Sequence, residues 1–180
     1  HYLSPSLADG LRKRTEAPRI EQLDDGRERY HMPLGTLMLS DAYYDMDARL
    51  AYMGGLGVTR QILSFPGLFG VDSLPTVDCA YLLAGFNDHV AAIARAHPTR
   101  FSGLAALPLA DMNEAVLEYR RARLDLRLVG AILPVNLLVK ADHAASLAPV
   151  FPSASIKSSK KHRTWNVTAY ARKPTVSAPR

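Results

Sequence analysis

One cysteine, Cys79, stands among 180 residues. It cannot form an internal disulfide, so disulfide scaffolds and cysteine-based zinc fingers are excluded. No stretch reaches eighteen apolar residues, which excludes a transmembrane helix. The glycine patterns that cradle phosphates, G-x-G-x-x-G and G-x-x-x-x-G-K-S/T, do not occur. A basic segment followed by an apolar core is missing at the start, where His1 stands instead of Met. A cytoplasmic chain is expected, its true N-terminus missing or processed. What remains is ordinary. Hydrophobic residues make up 48% and charged residues 22%, the balance of a soluble globular domain. The length suits one domain.

Acid is absent from residues 151–180, which carry Lys157, Lys160, Lys161, Arg163, Arg172, Lys173 and Arg180. The first 150 residues hold the other 15 of 22 basic groups and all 17 acids. The net charge of +5 therefore belongs to a tail, and the body is slightly acidic. A folded nucleic-acid binder would carry its charge on a structured face instead. Ser, Lys, Arg and Pro dominate the tail without apolar periodicity, so it is expected to be disordered. The division is 1–150 for the body and 151–180 for the tail.

Within the body, Ser4-Pro5 reads as a helix cap, with Leu3, Leu7 and Leu11 along one face. Residues 15–40 read as an irregular insertion with a hairpin-type turn at Asp24-Asp25-Gly26. A helix is expected from Asp45 to Gly57, striped by Met46, Leu50, Met53 and Leu56. A β-rich run covers Val58–Ser64, followed by a loop over 65–75. A long amphipathic helix covers Thr76–His97 and stops at Pro98. Apolar strands are expected at Phe101–Leu107 and Leu128–Leu133, with an Asp111-capped helix between them. A further helix is expected near Asp142. Repeated βα units imply an α/β fold, either a doubly wound sheet or a (β/α) barrel, and the spacing does not choose between them.

Several segments carry a more specific pattern. They are His1-Tyr2-Leu3-Ser4-Pro5, the helix Asp47–Val58 with its R…M…G-V ending, and Gln61-Ile62-Leu63-Ser64. Asn87-Asp88, then Pro98-Thr99-Arg100-Phe101-Ser102-Gly103-Leu104 through Leu107-Pro108, form the strongest piece, and Leu128–Ile132 adds another. In combination they resemble the amidohydrolase superfamily, in the branch of aminocarboxymuconate-semialdehyde decarboxylase and related metal-dependent decarboxylases and hydrolases. The resemblance covers about residues 1–150.

It implies the first half of a (β/α)₈ TIM barrel, since such barrels need about 250 residues. His1 falls where the family has the second His of a His-x-His pair at the end of the first strand. Alternate strand residues face one side, so two such imidazoles converge on one metal. His1 is therefore the expected metal ligand, for a divalent ion such as zinc. Ser64, at the end of the next strand, is the expected contact at the substrate mouth. No catalytic residue is assigned. One His cannot hold a catalytic zinc, which takes about three protein ligands. The parent chemistry is thus implied as hydrolysis or decarboxylation of a small carboxylated or cyclic compound, and the chain itself is expected to be inactive. Asp24 stands where the decarboxylase branch often has Lys, a departure that bears on the substrate. The break after Val150 predicts a changed reading frame, or an exon or gene boundary, near residue 151.

Other candidates have plainer readings. His31, His89, His97 and His143 lack ligand spacing, and His89 is expected on the solvent side of its helix. Asn87-Asp88 reads as helix-to-loop hydrogen bonding, Tyr43-Tyr44-Asp45 as packing near a pocket mouth, and Arg120-Arg121-Ala122-Arg123 as a solvated face. Cys79 reads as a core thiol. The competing function is a non-catalytic binding protein whose basic tail, with Trp165 and Tyr170, contacts nucleic acid or anionic surfaces. Such contacts would be weak and salt-sensitive. An exposed strand edge predicts oligomers or poor solubility.

Overall fold

The computed structural model describes residues 1–134. Helix α1 (Pro5–Arg12) starts at Ser4, whose Oγ accepts from Leu7 N at 3.3 Å, with Pro5 at the first helical position. Its Leu7 and Leu11 are buried, as the spacing predicts. An antiparallel sheet follows, built from β1 (Arg19–Gln22), β2 (Glu28–Met32) and β3 (Gly35–Met38) in that order. Residues 15–40 are thus a three-stranded meander rather than an irregular insertion. Alternation over four or five residues, broken by charged positions, is too short to register as a strand pattern. The Asp24-Asp25-Gly26 turn does join two strands, with Gly26 at φ 81°. Ile20 and Tyr30 pair across the sheet and are buried on one face.

The second sheet is parallel: β4 (Gln61–Leu63), β5 (Phe101–Ala105) and β6 (Gly130–Ala131), in that order. Helix α2 (Met46–Gly55) precedes β4, α3 (Thr76–Ala96) links β4 to β5, and α4 (Met112–Leu124) links β5 to β6. Each strand is shorter than its apolar run, because pairing stops where the chain turns into loops at the strand ends. Asp45 caps α2 through Asp47 N and Ala48 N, both at 2.9 Å, and Asp111 caps α4 through Asn113 N at 2.8 Å. The loop 65–75 holds two short 3₁₀ turns joined by Gly70 at φ 82°.

The two faces of the parallel sheet differ. A Cβ on Gly103 would collide with Val90 of α3 and with Leu128, so Phe101, Gly103 and Ala105 face the helices. Leu63 pairs with Gly103 and shares that buried face. Ile62 pairs with Ser102 on the opposite face and stands 56% exposed. Buried Leu83, Phe86 and Val90 of α3 complete the core with Phe101 and Leu107. No helix among the described residues is long and apolar enough to cross a membrane. The helix expected near Asp142, His143 and the 151–180 tail lie outside the described residues.

Candidate functional site

The site is set by the end of β4. Tyr2 N–H donates to Ser64 O at 3.0 Å, and Leu3 N–H donates to Tyr43 O at 2.9 Å. The chain entering α1 therefore runs alongside the C-terminal end of β4. This places the two residues singled out from the sequence together: the Ser64 hydroxyl lies 3.5 Å from His1 Nδ1. The His1 ring also faces Phe69 of the loop 65–75, with ring centroids 6.2 Å apart. Phe69 is held in turn by the meander, because Tyr30 OH donates to Phe69 O at 3.0 Å and the two rings lie 4.7 Å apart. Burial pushes the Tyr30 phenol pKa well above its ordinary value, which keeps it a hydrogen-bond donor.

A pocket of about 480 Å³ opens beside His1, between Gln61 on β4 and Tyr43, Arg49 and Tyr52. Arg49 is the arginine of the R…M…G-V pattern but carries no site role in the sequence reading; it lies three residues after Met46 and four before Met53, on the apolar stripe of α2. Of that stripe Met53 alone is fully buried and Leu56 stands 60% exposed, so the signal that marks Arg49 is a charged residue four positions before a buried methionine. Its Nη2 donates to His1 O at 2.8 Å and also to Ala42 O, and its Nη1 donates to Gln61 Oε1 at 3.0 Å. Among the described residues no carboxylate pairs with it, and its Nε is buried without a partner. Desolvation lowers its pKa.

His89 departs from expectation. Its Nε2 lies 2.8 Å from Tyr2 OH and its ring is nearly parallel to the Tyr2 ring, at 5.8 Å between centroids. It is half-buried against the site segment rather than on the solvent side, and burial lowers its pKa. The 3.6-residue period could not reveal a partner 87 positions away. Asn87 and Asp88 do tie elements together. Asn87 exchanges two hydrogen bonds of 2.9 Å with the backbone of Ala106, and Asp88 pairs with Arg121 at 2.6 Å.

The Arg120–Arg123 run is only partly a solvated face. Arg121 is bonded to Glu118 and Asp88, and Arg123 reaches Leu128 O. Tyr43 lines the pocket, whereas Tyr44 OH donates to Glu28 at 2.7 Å. His31 bonds Glu21 at 2.7 Å, and His97 caps the end of α3. Cys79 is a buried thiol, its pKa pushed up to about 11 by desolvation. Asp25 binds Arg27 within its turn. Among the described residues no three His, Cys, Asp or Glu side chains gather into a metal-binding group.

No family model matches the chain. A curated relative does: the 2-amino-3-carboxymuconate-6-semialdehyde decarboxylase of Dictyostelium discoideum is 34% identical over 109 residues, 60% of this chain and 30% of the relative. The structure of 2,6-dihydroxybenzoate decarboxylase from Rhizobium is 26% identical over 61% of this chain and 38% of its own, with a TM-score of 0.50. The chain resembles the decarboxylases of the amidohydrolase superfamily. It spans about a third of the length of these relatives. A dihydroxybenzoic acid decarboxylase from Polaromonas sp. JS666, described with bound manganese and 2-nitroresorcinol, is 31% identical over 51% of this chain and 28% of its own, with a TM-score of 0.47.

Proposed function

We propose that residues 1–134 form the opening part of a (β/α)₈ barrel from a metal-dependent decarboxylase or hydrolase, acting on a small carboxylated or cyclic compound. One observation carries the reading. The Tyr2–Ser64 backbone bond puts His1 at the C-terminal end of β4, and barrel enzymes build their sites at the C-terminal ends of their strands. Successive strands β4, β5 and β6 lie side by side in parallel, as consecutive barrel strands do, and the relatives are decarboxylases.

In this reading His1 supplies one imidazole to a divalent metal, and the Ser64 hydroxyl steadies that ring and borders the substrate mouth. The described residues do not fit the metal by themselves. One imidazole beside a hydroxyl and a phenyl ring is far from the three protein ligands that a catalytic zinc takes. No reaction step is therefore assigned to these residues, and the chain alone is read as inactive. The same reading divides the sequence at about residue 150, where the basic, acid-free segment 151–180 begins.

The test uses the longest polypeptide that the gene encodes around this sequence. His1→Ala is expected to strip its divalent metal, measured by elemental analysis. Ser64→Ala is expected to keep the metal and to raise KM for the carboxylated substrate. Metal retained in full by His1→Ala removes His1 from the site.

A further inference from the structure

We propose that Arg49 is the positioning residue for the His1 end of this site. The inference deepens the reading of His1 as a site residue and rests on it. Three segments meet at one guanidinium: the chain at His1, the turn at Ala42 and the start of β4 at Gln61. None of these contacts is an ion pair, and the acceptors are two backbone carbonyls and one side-chain amide. A surface arginine would find a carboxylate or water. This one instead spends its donors on fixing the backbone of the residue whose side chain faces Phe69 and Ser64.

Arginine suits the task because its planar fork reaches several acceptors in fixed directions, whereas lysine offers a single point charge. The guanidinium also lies over the ring of Tyr2, 5.9 Å from its centroid. It therefore holds residue 1 by its carbonyl and residue 2 by its ring. No described acid opposes it, so the geometry comes from hydrogen bonds and stacking, which salt screens little.

The experiment is NMR on the isotope-labelled, metal-free 180-residue chain, comparing Arg49→Lys with the parent. Expected is loss of the ring-to-ring cross-peak between His1 and Phe69, while the Asn87 side-chain amide and the Ala106 amide keep their shifts. Gln61→Ala, which removes one of the three acceptors, is expected to weaken the same cross-peak. A cross-peak undiminished in Arg49→Lys overturns the proposal. So does simultaneous collapse of the Asn87 and Ala106 signals, because Arg49 would then support the whole fold rather than His1. Metal binding plays no part in the measurement, so failure of the metal reading and failure of this one are told apart.

Discussion

Replacing Asn87 by Ala is the most severe single change the structure predicts away from the site. Asn87 is fully buried at 0% exposure. Its Nδ2 donates to Ala106 O at 2.9 Å and to Glu118 Oε1 at 2.6 Å, and its Oδ1 accepts from Ala106 N at 2.9 Å. Ala106 follows β5 directly and is itself buried, so neither its N–H nor its C=O gains water when the amide is removed. Each orphaned buried group costs about 1–3 kcal/mol, which gives about 2–6 kcal/mol for the pair. Glu118 keeps Arg121 and contributes little to the loss. Set against a typical total of roughly 5–15 kcal/mol, this brings the domain close to unfolding. Urea denaturation followed by circular dichroism measures it. Asp88→Asn is the control: it removes an exposed pair with Arg121, worth about 0–1 kcal/mol. An Asn87→Ala loss within about 1 kcal/mol of the parent refutes the reasoning that Ala106 depends on this side chain.

Gly103→Ala is expected to destabilise by about 1–3 kcal/mol through collision with Val90 and Leu128, and Val90→Ala to recover part of the loss in a double-mutant cycle. Ser4→Ala removes the α1 cap and is expected to lower stability by about 1 kcal/mol in the same urea assay. Asp72, 5% exposed and hydrogen-bonded to Ser73, has its carboxyl pKa raised by burial. A raised carboxyl pKa means that the folded state favours the protonated form, so this group's contribution falls as pH rises past the ordinary carboxylate range. Asp72→Asn is therefore expected to raise the melting temperature at pH 7 and to leave it unchanged well below pH 3.8, where Asp72 is neutral in the folded and unfolded chain alike. A variant less stable than the parent at pH 7 contradicts this.

Elements that announce themselves locally were legible in the sequence. The caps Ser4, Asp45 and Asp111 and the stop at Pro98 fall within a residue or two of the observed helix ends. The apolar runs around Leu63, Phe101 and Gly130 do become parallel strands. The meander of residues 19–38 was missed because its strands are short and polar on one face, where Arg19, Glu21, Arg29 and His31 sit together. At the candidate site, motif resemblance pointed to His1 and Ser64. Phe69, the Tyr2–His89 pair and the hold of Arg49 on His1 O came with the structure, because each acts through contacts tens of positions away. Sequence periodicity describes which face a residue occupies, and it does not say which distant carbonyl or ring that face meets.

We propose that this chain contributes one edge of a metal-dependent site and does not complete it. The direct measurement is the divalent metal content of the purified 180-residue chain after loading with manganese or zinc, together with CO₂ release from 2,6-dihydroxybenzoate. Expected are no tightly held metal and no CO₂ above the protein-free rate. One equivalent of bound metal with sustained CO₂ release contradicts it.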